Sequence, residues 1–384
     1  MTARVRQAPL DEAYRYLTEA GVAGRIAEHK RRFGDELVIL GHHYQRDAIV
    51  QFADFVGDSF KLSRVASQQR TARYVVFCGV HFMAETADML TPDQVAVLLP
   101  HLQAGCTLAD MASIDQLEAA WEQLGQLTDA TIVPITYVNS SAAIKAFCGA
   151  HGGAVCTSGN APQVLAWAMA GDTPGAPAAG QRKVLFLPDQ HLGRNTAWAT
   201  GWPLESLVTW DPHQPDGGLD RRELAPAKII LWQGECCVHM HFTAEHVRQA
   251  HRDGAGWPVI VHPECRWEVV QAADLAGSTE FILQTVRDAP AGSRWAVGTE
   301  INLVNRLARE VAPGKQVRCL SGRPSLCKTM FLIDPPHLLW VLDELAAGRV
   351  VNRIAVDPDT RRDARVAVER MLELAPSKTT GVKG

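Results

Sequence analysis

The chain has 384 residues, 47% of them hydrophobic and 21% charged, with a formal net charge of -4. This composition excludes a disordered or fibrous chain, and the small negative charge argues against a general nucleic-acid binder. The length predicts two or three domains, each large enough to bury its own core.

Neither a secretory signal nor a membrane helix is expected. The opening residues, MTARVRQAPLDEAYRYL, lack the long apolar stretch of a signal peptide, and no apolar run approaches the roughly 18 residues of a membrane span. The nine cysteines are therefore expected to be thiols of a cytoplasmic protein rather than a disulfide framework. Basic clusters at 29–33 and 361–365 are expected to be solvated helix faces, so no nucleic-acid or membrane partner is predicted.

Short β-branched runs alternate with helical patterns along the chain, which is typical of parallel sheets covered by helices. The predicted strands fall into three sets of four, at 37–40, 53–57, 74–79 and 95–99, then 131–138, 154–158, 183–188 and 228–232, then 258–262, 273–277, 294–298 and 316–320. The fold class is therefore predicted to be α/β with a threefold internal repeat. Loop compositions occur at 171–180, at 211–218 and in the tail from about Ser377.

The three sets divide the chain into three predicted domains. These are residues 1–114 with an N-terminal helical extension, residues 115–245, and residues 246–384 with the C-terminal helices and tail. Each is predicted to contain a short parallel sheet covered by helices.

Polar residues follow the strands at matching places in each set. Pairs two residues apart follow the first strands, where an extended chain places both side chains on one side: His42 and Tyr44, Tyr137 and Asn139, His262 and Glu264. Hydroxyl residues follow the second strands, where helices are predicted to begin: Ser59, Ser158 and Thr279. Because ligands of parallel sheets bind at the carboxyl ends of strands, these residues are predicted to line one site.

A cysteine follows the fourth strand of every set, namely Cys106, Cys236 and Cys327. This repeated position favours Cys236 over its neighbour Cys237, and Cys327 over Cys319, which lies within a predicted strand. Three thiolates suit an iron–sulfur cluster with one open iron, or zinc with three cysteines and a water, and the spacing does not separate the two. The remaining cysteines, Cys78, Cys148, Cys156 and Cys265, are expected to be buried core thiols.

Ordered motifs between residues 37 and 340 resemble those of quinolinate synthases, enzymes of NAD biosynthesis. They include GHHYQ, FCGVHFMAETADML, AGCTLADM, WQGECCVH, HPECRWEVVQAAD and VGTEINLVNRL. The resemblance implies three similar αβα domains in a pseudo-threefold triangular arrangement around a central active site. It also implies a [4Fe-4S] cluster held by Cys106, Cys236 and Cys327, with one iron lacking a cysteine ligand. The implied reaction condenses iminoaspartate with dihydroxyacetone phosphate to quinolinate, phosphate and water.

The resemblance also suggests roles for the strand-end residues. Glu264 is the predicted general base, and His42 and His262 are predicted to hold carboxylate or hydroxyl groups of the substrates. The remaining predicted site residues are Tyr44 and Tyr137, which would donate to developing oxyanions, and Ser59, Asn139, Ser158 and Thr279, which would bind the substrates. His81, His191, His239 and His241 are expected to have structural roles.

Two features depart from the family pattern. The segment between Asn139 and Ser158 is a few residues longer than usual, and the triple-cysteine run that some members carry near the last ligand is absent. Two alternative functions would use the same three cysteines. One is a non-catalytic iron–sulfur sensor or electron carrier, and the other is a zinc-dependent hydrolase. The predicted partners are the two small substrates and, transiently, the enzyme that supplies iminoaspartate.

Overall fold

The computed structural model describes residues 7–170, 182–254 and 256–374. The predicted loop at 171–180 and the predicted tail from Ser377 lie outside these ranges. The described chain forms two compact units, one comprising residues up to Cys106 together with Cys327–Asp357, the other Thr107–Leu326 together with residues from Pro358 onward.

The strands of the described ranges are short and mostly buried. In chain order they are β1 (Leu37–His42), β2 (Phe55–Gly57), β3 (Tyr74–Cys78), β4 (Ala96–Leu98), β5 (Ile132–Tyr137), β6 (Ala154–Cys156), β7 (Lys183–Leu187), β8 (Leu207–Trp210), β9 (Ile229–Trp232), β10 (Val259–Val261), β11 (Leu275–Ala276), β12 (Arg294–Gly298), β13 (Gln316–Cys319) and β14 (Arg353–Ile354).

Helices follow almost every strand. In chain order they are α1 (Glu12–Arg15), α2 (Glu19–Phe33), α3 (Asp47–Val50), α4 (Ser59–Ser67), α5 (His81–Leu90), α6 (Ile114–Leu127), α7 (Ala142–Ala150), α8 (Ala161–Ala168), α9 (Gln190–Ala199), α10 (Arg221–Leu224), α11 (Ala244–Arg252), α12 (Trp267–Ala272), α13 (Thr279–Asp288), α14 (Ile301–Val311), α15 (Pro335–Ala346) and α16 (Pro358–Glu373).

The predicted α/β class and its internal repeat are confirmed by the topology of the sheets. Their strand orders are β14-β4-β3-β1-β2, β6-β5-β7-β9-β8 and β11-β10-β12-β13. In each sheet the repeated strands pair in parallel in the order second, first, third, fourth. All twelve predicted strands are therefore present, in three copies of one arrangement.

Two strands were not predicted from the sequence. β8 adds to the second sheet beside β9 in parallel, and β14 pairs antiparallel with β4, matching Arg353 to Leu98 and Ile354 to Val97. At two residues, β14 is too short to show an alternation of side chains, because pattern arguments need about four residues.

The chain after Cys327 differs in placement from the prediction for residues 246–384. α15 packs on α2 in the first unit, where Asp343 accepts hydrogen bonds from Tyr14 at 2.7 Å and from Arg25 at 2.7 Å. α16 instead packs on α7 and β6 in the second unit, where Asn160 Nδ2 donates to Met371 O at 2.9 Å. α15 thus packs within the first unit and α16 within the second, while the predicted domain limits stay predictions.

Apolar side chains fill the space between each sheet and its helices. In the third sheet, Val259 and Val261 of β10 and Ala296 of β12 are fully buried against Val247 of α11 and Val269 of α12. Burying such side chains contributes about 1.5–3 kcal/mol each. This packing gives the strand ends fixed positions. Within the described ranges, no helix has the length and apolar character required to cross a membrane.

Candidate functional site

The three predicted cluster cysteines begin the same local structure. A short 3-10 helix starts three residues after each cysteine, at Ala109–Met111, His239–His241 and Met330–Leu332. A helix N-cap follows seven residues after each cysteine, and its side chain accepts a backbone N–H in every case: Ser113, Thr243 and Asp334. Neither Cys237 nor Cys319 occupies this position, and the choice of ligands stays a prediction.

Exposure separates these thiols from most of the others. Cys106, Cys236 and Cys327 are half-buried, whereas Cys78, Cys148, Cys156 and Cys265 are buried. Burial raises the pKa of the Cys78 thiol to about 12 and raises the pKa of Cys265 well above its ordinary value. A protonated, enclosed thiol is a poor ligand, so the expectation that these four are core residues agrees with their surroundings.

In the first unit, β1 ends at His42, which is buried. Its Nδ1 accepts a hydrogen bond of 3.1 Å from the backbone N–H of Tyr44, and the two rings meet edge to face with centroids 4.7 Å apart. The predicted pair is therefore packed together at a strand end. Ser59, the third predicted residue of this unit, is the first residue of α4 and is half-buried.

In the second unit, three polar side chains surround Glu264 in the turn after β10, and two hydroxyls contact the histidines among them. Glu264 Oε2 lies 3.1 Å from His262 Nδ1, 3.2 Å from His239 Nδ1 and 3.5 Å from the Tyr137 hydroxyl. His262 and His239 are stacked, with ring centroids 4.5 Å apart. His262 Nε2 lies 3.1 Å from Ser158 Oγ, and His239 Nε2 lies 3.3 Å from Thr299 Oγ1.

These contacts shift the pKa values of Glu264 and His262. Burial opposes ionisation of Glu264, but the two imidazoles outweigh it and hold its pKa well below its usual range. Burial and the neighbouring His239 lower the pKa of His262, which is therefore neutral at pH 7. His262 Nδ1 lies 3.1 Å from the carboxylate of Glu264 and 3.3 Å from the backbone N of the same residue, which donates to it. His262 Nε2 forms the other hydrogen bond of the ring, with the Ser158 hydroxyl.

A second buried carboxyl group, Asp189, interacts with Glu264. Asp189 is fully buried between β7 and α9, where its Oδ1 accepts from Leu192 N at 2.7 Å and caps the helix. Burial and the charge of Glu264 raise the pKa of Asp189 well above its usual range. Of the two carboxyl groups, Glu264 is therefore the more readily ionised and Asp189 the more weakly acidic.

The predicted hydroxyl residues of this unit are not helix caps. Ser278, not Thr279, caps α13 by accepting from Phe281 N at 3.3 Å, and Thr279 is the buried first residue of that helix. Ser158 precedes α8 and faces His262, while Thr157 N donates to Asn160 Oδ1 at 2.7 Å. Capping is ordinarily the first explanation for a hydroxyl at such a position. At α13 the neighbouring Ser278 makes the capping hydrogen bond, whereas the N-cap of α8, Asn160, makes none with its side chain.

The other predicted residues of the second unit have clear surroundings. Asn139 is half-buried in the turn after β5, two residues beyond Tyr137. His241 Nε2 lies 3.0 Å from Ser321 Oγ, consistent with the structural role expected for it. His191 and Arg194 line a pocket of about 300 Å³ that contains no predicted site residue.

Two residues of this site were missed by sequence reasoning. His239, expected to be structural, touches Glu264, and Asn195 on α9 contacts the turn that carries Glu264. Their signals were weak: His239 follows Cys236 by three residues, and Asn195 ends the motif PDQHLGRN. Cys236, His239 and Glu264 also offer ligand atoms within 4.8 Å of one another, so the Cys236 thiol lies beside this carboxylate in a group that could hold a metal ion.

Comparison with known proteins agrees with this geometry. The profile of a family described as quinolinate synthetase A protein matches residues 24–373. The chain is 50% identical to the quinolinate synthase of Anoxybacillus flavithermus over 370 residues, covering 95% of this chain and 97% of the relative. The chain belongs to the quinolinate synthase family.

Other members of the family match as extensively. The quinolinate synthase of Acidobacterium capsulatum is 52% identical over 94% of this chain and 95% of its own length. That of Corynebacterium glutamicum is 50% identical over 97% of this chain and 92% of its own length. The chain is therefore an enzyme of NAD biosynthesis acting on small molecules, and the match gives no support to a sensor, an electron carrier or a zinc hydrolase. Iron–sulfur binding is a property of quinolinate synthases, and the described chain offers thiols and a possible metal-binding group for it.

Proposed function

We propose that this protein condenses iminoaspartate with dihydroxyacetone phosphate, giving quinolinate, phosphate and two molecules of water. The observation that carries the proposal is the group around Glu264. A buried carboxylate, two imidazoles and a phenol meet at the ends of parallel strands, and the Cys236 thiol lies near the carboxylate. Groups that can transfer protons therefore lie beside a thiol that can bind a metal. A condensation with loss of phosphate and water requires both kinds of group.

The proposed cofactor is a [4Fe-4S] cluster held by Cys106, Cys236 and Cys327, with one iron lacking a cysteine ligand. The donor set fits this group, because the three thiols are half-buried and begin the same local structure. When bound, the open iron supplies a Lewis acid that assists loss of water from the substrate.

Glu264 is the proposed general base. Its Oε2 is occupied by His239 and His262, whereas Oε1 has no hydrogen-bond partner among the described residues and is the atom that accepts the proton. The two imidazoles keep the carboxylate ionised at neutral pH, and the same contacts lower its basicity. The neighbouring imidazoles then share the change in charge, and the Tyr137 hydroxyl is placed to donate to an oxyanion as it forms.

The substrates carry carboxylates and a phosphate, and the proposed contacts for these anions are hydroxyls at helix starts. In the second unit Thr279 begins α13 and Ser158 precedes α8, with His262 holding the Ser158 hydroxyl. In the first unit Ser59 begins α4, beside the strand that ends in His42 and leads to Tyr44. A helix N-terminus attracts anions through its dipole and free N–H groups. Asn139 is proposed to bind a substrate carboxylate as well.

The decisive experiment measures quinolinate formed by anaerobically purified protein supplied with dihydroxyacetone phosphate and freshly generated iminoaspartate. Glu264→Gln keeps the shape of the side chain but removes its basicity. This variant should keep its iron and its brown absorption while turnover falls on the order of 10²- to 10⁴-fold. The exposed Glu245, which pairs with Arg248 on α11, gives a matched control, Glu245→Gln, with normal turnover.

Two results would contradict the proposal in different ways. Cluster-loaded parent protein that forms no quinolinate would refute the reaction itself. Near-normal turnover of Glu264→Gln would leave the reaction standing but reduce Glu264 to a residue that orients His262.

A further inference from the structure

We infer that Asn195 is a positioning residue that fixes the Glu264 carboxylate in its working place. This inference rests on the proposed role of Glu264 as the base. Asn195 lies on α9, in the motif PDQHLGRN, and it is 1% exposed. Its Nδ2 donates to Pro263 O at 2.8 Å and to Cys265 O at 2.8 Å. The two carbonyls belong to the residues immediately before and after Glu264.

The turn itself leaves Glu264 dependent on an outside support. Its four residues, 262–265, are closed by a backbone hydrogen bond of 3.0 Å from Cys265 N to His262 O, and Glu264 N donates to His262 Nδ1 at 3.3 Å. Within this turn, which the structure describes throughout, no contact holds the carbonyls of Pro263 and Cys265. Asn195 holds both with one amide group, so the turn is supported one residue before and one residue after Glu264.

The position of Asn195 is in turn fixed by the packing of α9. The fully buried Asp189 caps the helix at 2.7 Å from Leu192 N. Gly193 lets the helix lie close to the second sheet, since a Cβ there would be 2.6 Å from Leu231 Cδ2 and 2.8 Å from Phe186 Cδ1. The core of the second sheet therefore fixes Asn195, which in turn holds the turn around Glu264. Asn195 and its acceptor Pro263 are 68 residues apart in the sequence.

The unused oxygen of Asn195 points to the same role. Asn195 Oδ1 is buried and has no hydrogen-bond partner among the described residues. Leaving a buried acceptor unpaired is unfavourable, yet both donors are directed at the turn. Such a cost is typical of residues kept for function rather than for stability alone.

The test compares Asn195→Ala with a control that loses an equivalent amide. Asn352 Nδ2 donates to Leu99 O at 3.0 Å and to Pro100 O at 3.1 Å, in the first unit and outside the proposed catalytic residues. Asn195→Ala should lower kcat on the order of 10- to 100-fold, because a displacement of about 1 Å at a reacting group costs that much. Its KM for dihydroxyacetone phosphate should stay within about threefold of the parent, since no substrate contact is removed. Asn352→Ala should keep the parent kcat.

Two further variants keep the test decisive. Asn195→Ser retains one donor and should lose less kcat than Asn195→Ala, and it serves if the alanine variant fails to fold. Asn195→Asp places a carboxylate against two carbonyl oxygens and should lose at least as much as alanine. An unchanged kcat in a folded Asn195 variant overturns the inference.

A double-variant cycle separates this inference from the proposed role of Glu264. If Asn195 acts through Glu264, adding Asn195→Ala to Glu264→Gln should lower kcat no further, because the base is already lost. A full additional loss in the double variant overturns the inference while the role of Glu264 stands. Normal turnover in Glu264→Gln alone instead refutes the proposed base, whatever Asn195 does.

Discussion

Gly234 allows the chain to pass close to the backbone of Pro188 just before Cys236. We predict that Gly234→Ala loses most of the iron bound by the protein. Gly234 lies two residues before Cys236, just beyond β9. Its N–H donates to Trp232 O at 2.8 Å, and its carbonyl accepts from Gln190 N at 3.0 Å. A Cβ at this position would lie 3.2 Å from the carbonyl carbon of Pro188 and closer still to its oxygen.

The expected size of the effect follows from that clash. Unstrained contacts lie near 3.5–4.0 Å, and the opposing atoms are backbone, so the segment must move on the order of 1 Å. Metal–ligand distances tolerate only about 0.2 Å. Gly234→Ala should therefore lose most of its iron and, as an overpacked core variant, about 1–3 kcal/mol of unfolding free energy.

Gly24→Ala is the matched control, because Gly24 lies inside α2 and a Cβ there would meet nothing within 4 Å beyond the backbone of its own helix. That variant should keep its iron and gain about 0.5–1 kcal/mol of helix stability. The assays are iron per chain after anaerobic purification, visible absorption and urea unfolding. Full iron content in Gly234→Ala with an unchanged unfolding midpoint would refute the reasoning.

Three further predictions concern the thiols, a hydroxyl and a histidine. Cys236→Ser should lose most of its iron while Cys237→Ser keeps it, and iron analysis giving the reverse would transfer the ligand role to Cys237. Thr279→Ala should weaken substrate binding roughly 10- to 150-fold, the loss of one charge-assisted hydrogen bond, whereas Ser278→Ala should cost about 1 kcal/mol of stability instead; unchanged affinity in the first contradicts the assignment. Burial and Arg194 lower the pKa of His191 from 6.5 to about 4, so the folded state resists protonation and loses stability as pH falls from 6.5 to 4. His191→Gln should lose less over that range, and equal losses in urea titrations would count against it.

The sequence by itself determined the repeat and the strand ends at which the predicted site residues lie. Strand runs with turn signals are local patterns, and twelve of them fell where the sheets have strands. The choice of Cys236 over Cys237 also came from spacing after a strand, and the repeated 3-10 helix and N-cap agree with it. Such features follow from a few neighbouring residues, so one sequence is enough to find them.

Only the tertiary structure decided which side chains support Glu264. His239, Asp189 and Asn195 approach it from other elements, and Asn195 reaches the turn from 68 residues away in sequence. The same holds for the end of the chain, where β14 pairs with β4 and α16 packs on α7. These contacts depend on how closely helices and sheets pack, as Gly193 shows on α9. Packing distances arise from side chains far apart in the chain, and no local pattern encodes them.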